Sequence, residues 1–450
     1  MDKMWKTVRI CERFTLQLKN VSTTQNRTFL SNAYRCNEAW KQRLESPLLN
    51  KVVAEDFYLQ LKQKFNQNTK AHAVDVDILA NVVSTESQEI DELVDILYKL
   101  RMSAETTNTF DSTHHAVVRC FLEADRIEEL ISMLHDRLNY GLFPDHFALN
   151  ILMDSLIKKK DYVSAARVAS LLMFQEDTQN PISNIIAIYA SHKCIDNFGN
   201  WREPEPVVDT SKEIVKVRVG FLRNPYFDDH FDLQKPAHIV GKTLYFFGKH
   251  FGDSLGRSYQ LIGLILYGKY NAAAHLIKEW TQKGIQQVVY EDAIKIVENE
   301  LSKIPEGEVN DEVKDFTVAL EGFKKCDLVK ENLEEAIEKK VREVIAEQAD
   351  RDISLQLQNF DDWEKKRQSV LNEQLAELDR QERLAKVAAI KKELSEREQL
   401  LTFFENEDEI DLTIDSKKPK YTRKPIGKKR KPKSVNENYI PPEMPTRARN

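Results

Sequence analysis

Glycine and proline are scarce in this chain, 13 and 14 of 450 residues. That disfavours an all-β protein, whose tight turns draw on both, and favours long helices, whose interiors tolerate neither. Cysteine is sparse and scattered (Cys11, Cys36, Cys120, Cys194, Cys326), with no C-x-x-C pair. No disulfide framework or cysteine-based zinc site follows from that pattern, and a reducing compartment is the natural setting. Long apolar runs are also missing. The richest stretch, Leu261 to Tyr267, is far shorter than the roughly 18–20 residues of a membrane-crossing helix, so no membrane span is expected. Charge is what the chain has in quantity: 31% charged beside 41% hydrophobic residues, the balance of a globular, charge-rich protein long enough for two or three domains.

The net charge of −6 conceals an asymmetry: residues 416–450 carry 12 Lys/Arg against Glu437 and Glu443, which leaves the rest of the chain near −16. An acidic body with a basic arm suits a polyanionic partner. Within the arm, Lys417, Lys418, Lys420, Arg423, Lys424, Lys428, Lys429, Arg430, Lys431 and Lys433 occur without an acid among them, and Pro419, Pro425 and Pro432 interrupt the run. Repelling charge and proline predict disorder in isolation. Each cation that neutralises a phosphate releases a counterion, so these ten residues are the candidate RNA contacts, with Tyr421 placed to stack on a base. A nuclear-localisation or solubility tail is the competing reading. At the other end, residues 1–31 hold six basic residues, seven Ser/Thr and only Asp2 and Glu12 as acids. Wound as a helix, Met4, Val8, Cys11, Thr15 and Leu18 oppose Lys6, Arg9 and Arg13, the form of a mitochondrial transit peptide, expected over residues 1–30.

Between these ends the sequence repeats itself. Residues 111–145 align with 146–180, matching Val117 with Leu152, Val118 with Met153, Phe121 with Leu156 and Ile127 with Tyr162. The apolar spacing predicts helices over Thr113–Glu123, Ile127–Asn139, Asn150–Lys158 and Tyr162–Phe174. Gly141 suits a helix C′ position, and Pro144 blocks continuation. Val74–Val83 with Ile90–Leu100 is a looser upstream copy, and Ile182–His192 opens another downstream.

Tyr140-Gly141-Leu142-Phe143-Pro144-Asp145 is similar to the close of a pentatricopeptide repeat, and Asn150–Lys158 resembles the helix that opens the next. More specifically, Tyr140–Ala166 and Phe29–Trp40 resemble the S-twenty-seven family of pentatricopeptide-repeat proteins of the mitochondrial small ribosomal subunit, and Leu266-Tyr267-Gly268-Lys269 fits the same family. The resemblance implies a solenoid of helix pairs that packs on ribosomal RNA and neighbouring proteins. In RNA-reading repeats two or three side chains per repeat contact one base. Here those positions are His115 with Asp145 and Asn150 with Asn180, too few for useful specificity, and His114-His115 departs from the repeat consensus. A scaffold is therefore expected.

Three motifs point elsewhere and are read as structural. Gly252-Asp253-Ser254-Leu255-Gly256 has the G-x-S-x-G pattern of a hydrolase elbow, but no clear strand precedes it and only His275 follows. A helix N-cap at Ser254 is expected instead. Val240-Gly241-Lys242-Thr243 ends like a P-loop, yet Pro236 occupies the position of the first glycine. His114 and His115 are adjacent, and neighbours on a helix point apart, so they do not share a metal.

Residues 196–235 read as a connector with a short strand at Ile214–Phe221, followed by helices near 236–249, 256–267, 271–283, 287–303 and 311–325. Asp327–Phe404 lacks glycine and proline over 78 residues, which predicts a long charged helix, or a helical hairpin if Asp350–Asp352 breaks it. Leu371, Leu375 and Leu378 start a coiled-coil seam that Glu382 and Lys392 end. The expected architecture is all-α: transit peptide 1–30, pentatricopeptide solenoid 31–195, connector 196–235, second helical region 236–326, long helix 327–404 and an acidic-then-basic disordered tail 405–450. The expected role is structural, in the mitochondrial small ribosomal subunit, bound to its rRNA and neighbouring proteins. Lys158, Lys159 and Lys160 form a second basic patch. No catalysis, cofactor, metal or homo-oligomer is expected. A free organellar RNA-processing factor and a Ser254 hydrolase are the rival readings.

Overall fold

A computed structural model describes residues 29–67, 71–201, 233–303 and 311–417. The transit segment up to residue 28, the strand expected at Ile214–Phe221 and the tail beyond Lys417 lie outside the described residues. The described chain is all-helical. In order the helices are α1 (Asn37–Gln42), α2 (Ala54–Asn66), α3 (Ala73–Val82), α4 (Ser87–Arg101), α5 (Asp111–Glu123), α6 (Ile127–His135), α7 (His146–Lys159), α8 (Tyr162–Phe174) and α9 (Pro181–Cys194). Then come α10 (Pro236–Gly248), α11 (Ser254–Leu266), α12 (Tyr270–Gln282), α13 (Glu291–Ser302), α14 (Asp311–Phe323), α15 (Leu333–Glu405) and α16 (Glu407–Lys417).

The 35-residue period is visible in the backbone. Asp125 and Lys160, one period apart, both take a left-handed φ (59° and 62°) at the turn inside a helix pair. Asp145 and Asn180, again one period apart, cap α7 and α9 with side-chain oxygens that accept from Ala148 N and Ser183 N. Each cap satisfies a backbone donor that the first turn leaves unpaired. Helices α3, α5, α7 and α9 stack side by side as one row, with α6, α8 and α10 as a second. In a hairpin stack the row of first helices forms the inner, concave side. Leu130, Leu149, Leu152, Val168 and Ile185 are fully buried between the rows.

Several expectations need correction. The helix predicted to reach Asn139 stops at His135, and Gly141 takes its left-handed φ of 60° in the following loop. The N-cap of α11 is Asp253, whose carboxylate accepts from Gly256 N at 2.8 Å, not Ser254. No break occurs at Asp350–Asp352. Aspartate costs a helix interior only about 0.7 kcal/mol, and Asp352 is held by hydrogen bonds from Tyr34 and Asn180. Glu407–Lys417 is helical, so the disorder expected from residue 405 does not extend over this stretch; acids concentrated in its first turn favour a helix start. The described residues up to Leu371 form one compact unit and those from Asn372 to Lys417 another. The repeats, the second helical region and the first half of α15 therefore share a body.

Helices α10 and α11 approach through glycine. Gly241 and Gly248 lie seven residues apart on α10, facing Gly263 and Gly256 on α11. A Cβ on Gly263 would stand 2.5 Å from Tyr245 N, and one on Gly241 2.7 Å from Gly263 O. Gly263→Ala should therefore destabilise by about 1–3 kcal/mol through overpacking, although alanine is ordinarily the better helix former by ~1 kcal/mol. Urea unfolding beside Gly322→Ala, where a Cβ meets nothing within 4 Å, checks this. Equal midpoints for the two variants would refute close packing as the reason for the glycines.

Candidate nucleic-acid interface

The inner face carries the positions from which a base-reading repeat would work. His115, on α5, is fully buried. Its Nδ1 lies 3.2 Å from Asp145 Oδ1, and its Nε2 lies 3.3 Å from Arg119 Nε. Burial, reinforced by the Arg119 and Arg43 guanidiniums, pushes its pKa down. The ring is then a neutral Nδ1–H tautomer that donates to Asp145 and accepts from Arg119. Burial by itself would raise Asp145, and the hydrogen bonds from His115 and Ala148 N–H, with the Arg119 charge, oppose that rise. Asn150 donates to Tyr34 Oη at 3.1 Å and accepts from Ser183 Oγ at 2.8 Å. Asn180 donates to Asp352 Oδ2 at 2.8 Å. All four of these repeat positions are engaged by the chain itself.

Two further segments pack against these positions. Phe29 and Leu30 backbone N–H groups donate to buried Asp154 Oδ1 at 3.0 and 3.2 Å, which fastens the N-terminal strip to α7. Tyr34 stacks on Phe147 with centroids 4.7 Å apart and donates to Asp352 at 3.0 Å. Trp40 takes the Arg43 guanidinium 3.7 Å from its ring centre, with His115 at 5.0 Å and Phe360 at 5.7 Å. The second segment is α15. Leu333 N donates to Asp292 on α13, Glu334 pairs with Lys193, and Glu338 accepts from Tyr189 at 3.3 Å. Further along, Trp363 lies 5.3 Å from His115, and Arg367 reaches Asp77 on α3. The helix thus crosses the row from its last members to its first.

The Arg367–Asp77 contact is the most enclosed ion pair described. Nε and Oδ2 are 2.7 Å apart, with side chains 5% and 0% exposed. Asp77 also accepts from Thr113 Oγ1 at 2.9 Å, Asn81 Nδ2 at 3.2 Å and Ser112 Oγ. A buried carboxylate with its lone pairs filled this way avoids most of the penalty of an unsolvated charge.

The basic residues singled out from sequence are distributed differently. Lys158 and Lys159 end α7, and Lys160 is its left-handed C-cap; all three are exposed. Lys159 pairs with Asp125. Cations at a helix C-terminus are favoured by the backbone dipole, which accounts for part of this patch. Lys158 and Lys159 also line an open groove of about 490 Å³ with Arg35, Asn37, Arg119 and Ser155, against the single acid Glu123. Arg35 and Arg119 were not foreseen because they lie 84 residues apart in sequence. Arg119 donates to Asn37 Oδ1 at 2.9 Å and to Arg35 O. Burial lowers its pKa to about 10, so it stays charged. Lys417 is the exposed last residue of α16, and Lys418 through Lys433 lie outside the described residues.

The decoys resolve as structure. Ser254 Oγ donates to Gln287 O and accepts from Arg257 Nη2 at 3.2 Å, and among the described residues no imidazole is bonded to it. Val240–Thr243 lies inside α10. Among the described residues no cluster of three His, Cys, Asp or Glu could hold a metal, and no helix is long and apolar enough to cross a membrane. A family model described as mitochondrial 28S ribosomal protein S27 matches residues 2–393.

Proposed function

From the premise that this chain belongs to the mitochondrial 28S ribosomal protein S27 family, we propose that it acts as a structural constituent binding rRNA and neighbouring proteins, without reading base sequence. Membership makes it a protein of the mitochondrial small ribosomal subunit, located in the matrix. The family has a structural rather than a catalytic character, and no enzymatic role is proposed. In this reading the pentatricopeptide-like stack is a platform. Its RNA contacts are the arm cations Lys417 to Lys433, aided by Arg35, Lys158, Lys159 and Lys160. The observation that carries the reading is the occupied inner face: His115 and Asp145 are bonded to each other, Asn150 to Tyr34 of the N-terminal strip and Asn180 to Asp352 of α15.

The expected RNA binding is steeply salt-dependent and indifferent to sequence. Titration of small-subunit rRNA with the full chain and with a chain ending at Lys417 tests this. Each lost phosphate contact should reduce the slope of log K against log salt by about 0.7–0.9, while thermal unfolding stays put. Retention of both affinity and slope by the shortened chain would remove the arm from the proposal. A transcript preference abolished by scrambling the RNA, with the protein in a slowly sedimenting free pool, would favour a free RNA-processing factor instead.

A further inference from the structure

The second compact unit presents an unusual surface. Twelve of the twenty-one exposed large hydrophobic side chains among the described residues fall within 372–417. Val387, Ile390, Leu394, Leu401 and Phe404 follow three–four spacing and are between 56% and 73% exposed, with Arg397 at the remaining seam position. A strict seven-residue repeat of this kind is the seam of a coiled coil. It lies in a different register from the Leu371–Leu375–Leu378 start, which is why that pattern ends at Glu382. The flanking positions carry Lys386, Lys391, Glu393, Glu398 and Glu405. Over residues 372–417 thirteen acids face seven bases.

We propose that residues 387–404 are a docking seam for an amphipathic helix of a neighbouring protein whose flanks are predominantly basic. The proposal rests on the small-subunit role above and names one of its partners by chemistry. An RNA backbone fits poorly, because phosphate is repelled by the acidic excess and leaves the apolar row uncovered. A second copy aligned in parallel sets Lys386 against Lys391 and Glu393 against Glu398, like charges at the positions that choose partners. Aligned antiparallel, it still joins two surfaces of the same net sign. A helix with an apolar stripe and Lys/Arg flanks answers both the seam and the acids, and one acid in its own row would meet Arg397.

The test is photo-crosslinking from benzoylphenylalanine in place of Leu394, in the full chain within purified mitochondrial small subunits. The expected adduct is a protein segment with three–four apolar spacing and Lys/Arg flanks. An adduct with RNA, an adduct with another copy of this chain, or no adduct would overturn the proposal. Sedimentation of the same preparation separates the two readings. A chain absent from the subunit defeats both, whereas one present but crosslinked only to RNA defeats the docking seam alone. Leu394→Asp with Leu401→Asp alters exposed side chains, so thermal unfolding should hold. Retention on subunits washed in high salt should fall at least about tenfold, as expected when central interface anchors are lost. Unchanged retention would count against the seam.

Discussion

Replacing Arg367 by leucine should lower the unfolding free energy by about 3–5 kcal/mol, because removal of one partner leaves a buried charge uncompensated. Asp77 has no solvent access to fall back on. Ser112, Thr113 and Asn81 would remain as neutral donors to a carboxylate that had lost its guanidinium partner. Chemical denaturation gives the size of the effect, and a cycle with Asp77→Asn isolates the coupling. The double variant should recover part of the loss, since the amide needs no counter-charge. Near-ultraviolet circular dichroism should also report loosening around Trp363, one turn away on the same helix. A loss under about 1 kcal/mol for Arg367→Leu would mean that α15 does not depend on this pair for its seat.

Acidification from pH 7 to pH 5 should destabilise the chain by several kcal/mol. His135 and His192 are held neutral by burial, with Arg167 and Lys193 adding to the effect, and both have pKa values lowered to about 4. Unfolded, each titrates near 6.5. Below that value the unfolded chain takes up protons that the folded chain refuses. Stability present above pH 6.5 is therefore lost as pH falls toward 4, at up to about 1.4 kcal/mol per pH unit for each histidine. Burial shifts His114 and His115 in the same direction. Asp154, raised by burial, opposes the trend only at the acid end. Urea midpoints at pH 7, 6 and 5 measure the slope, and His192→Gln should flatten it. Equal midpoints across that range would mean these rings are hydrated in the folded chain.

Helix positions were legible from sequence because they depend on local spacing. Tyr162–Phe174 agrees to the residue, and Asp125 and Lys160 fall on the same turn of successive periods. The misreadings share a cause. Gly241 and Gly256 drew attention as parts of a P-loop and a nucleophile elbow, yet both belong to the glycine seam between α10 and α11. A glycine that admits a neighbouring backbone looks, in one dimension, like a glycine that cradles a phosphate. The occupied inner face was hidden for a related reason. Phe360, Trp363 and Arg367 lie on one side of α15 amid charged residues, but nothing local says that their counterparts are His115 and Asp77. The Lys158–Lys160 run invited an electrostatic reading, and its place at a helix end shows how much of such a run the backbone already explains.

The bond from Arg367 to Asp77 joins positions 290 residues apart. Contacts of such long sequence separation close late, after the loop-closure entropy of the intervening chain has been met. A chain emerging amino end first presents Trp40, His115 and Asp77 to water until the segment around Trp363 follows. During that interval it has the exposed apolar surface that makes folding intermediates of large proteins prone to aggregate. A chain cut short before residue 333 is therefore expected to aggregate more readily than one that carries α15.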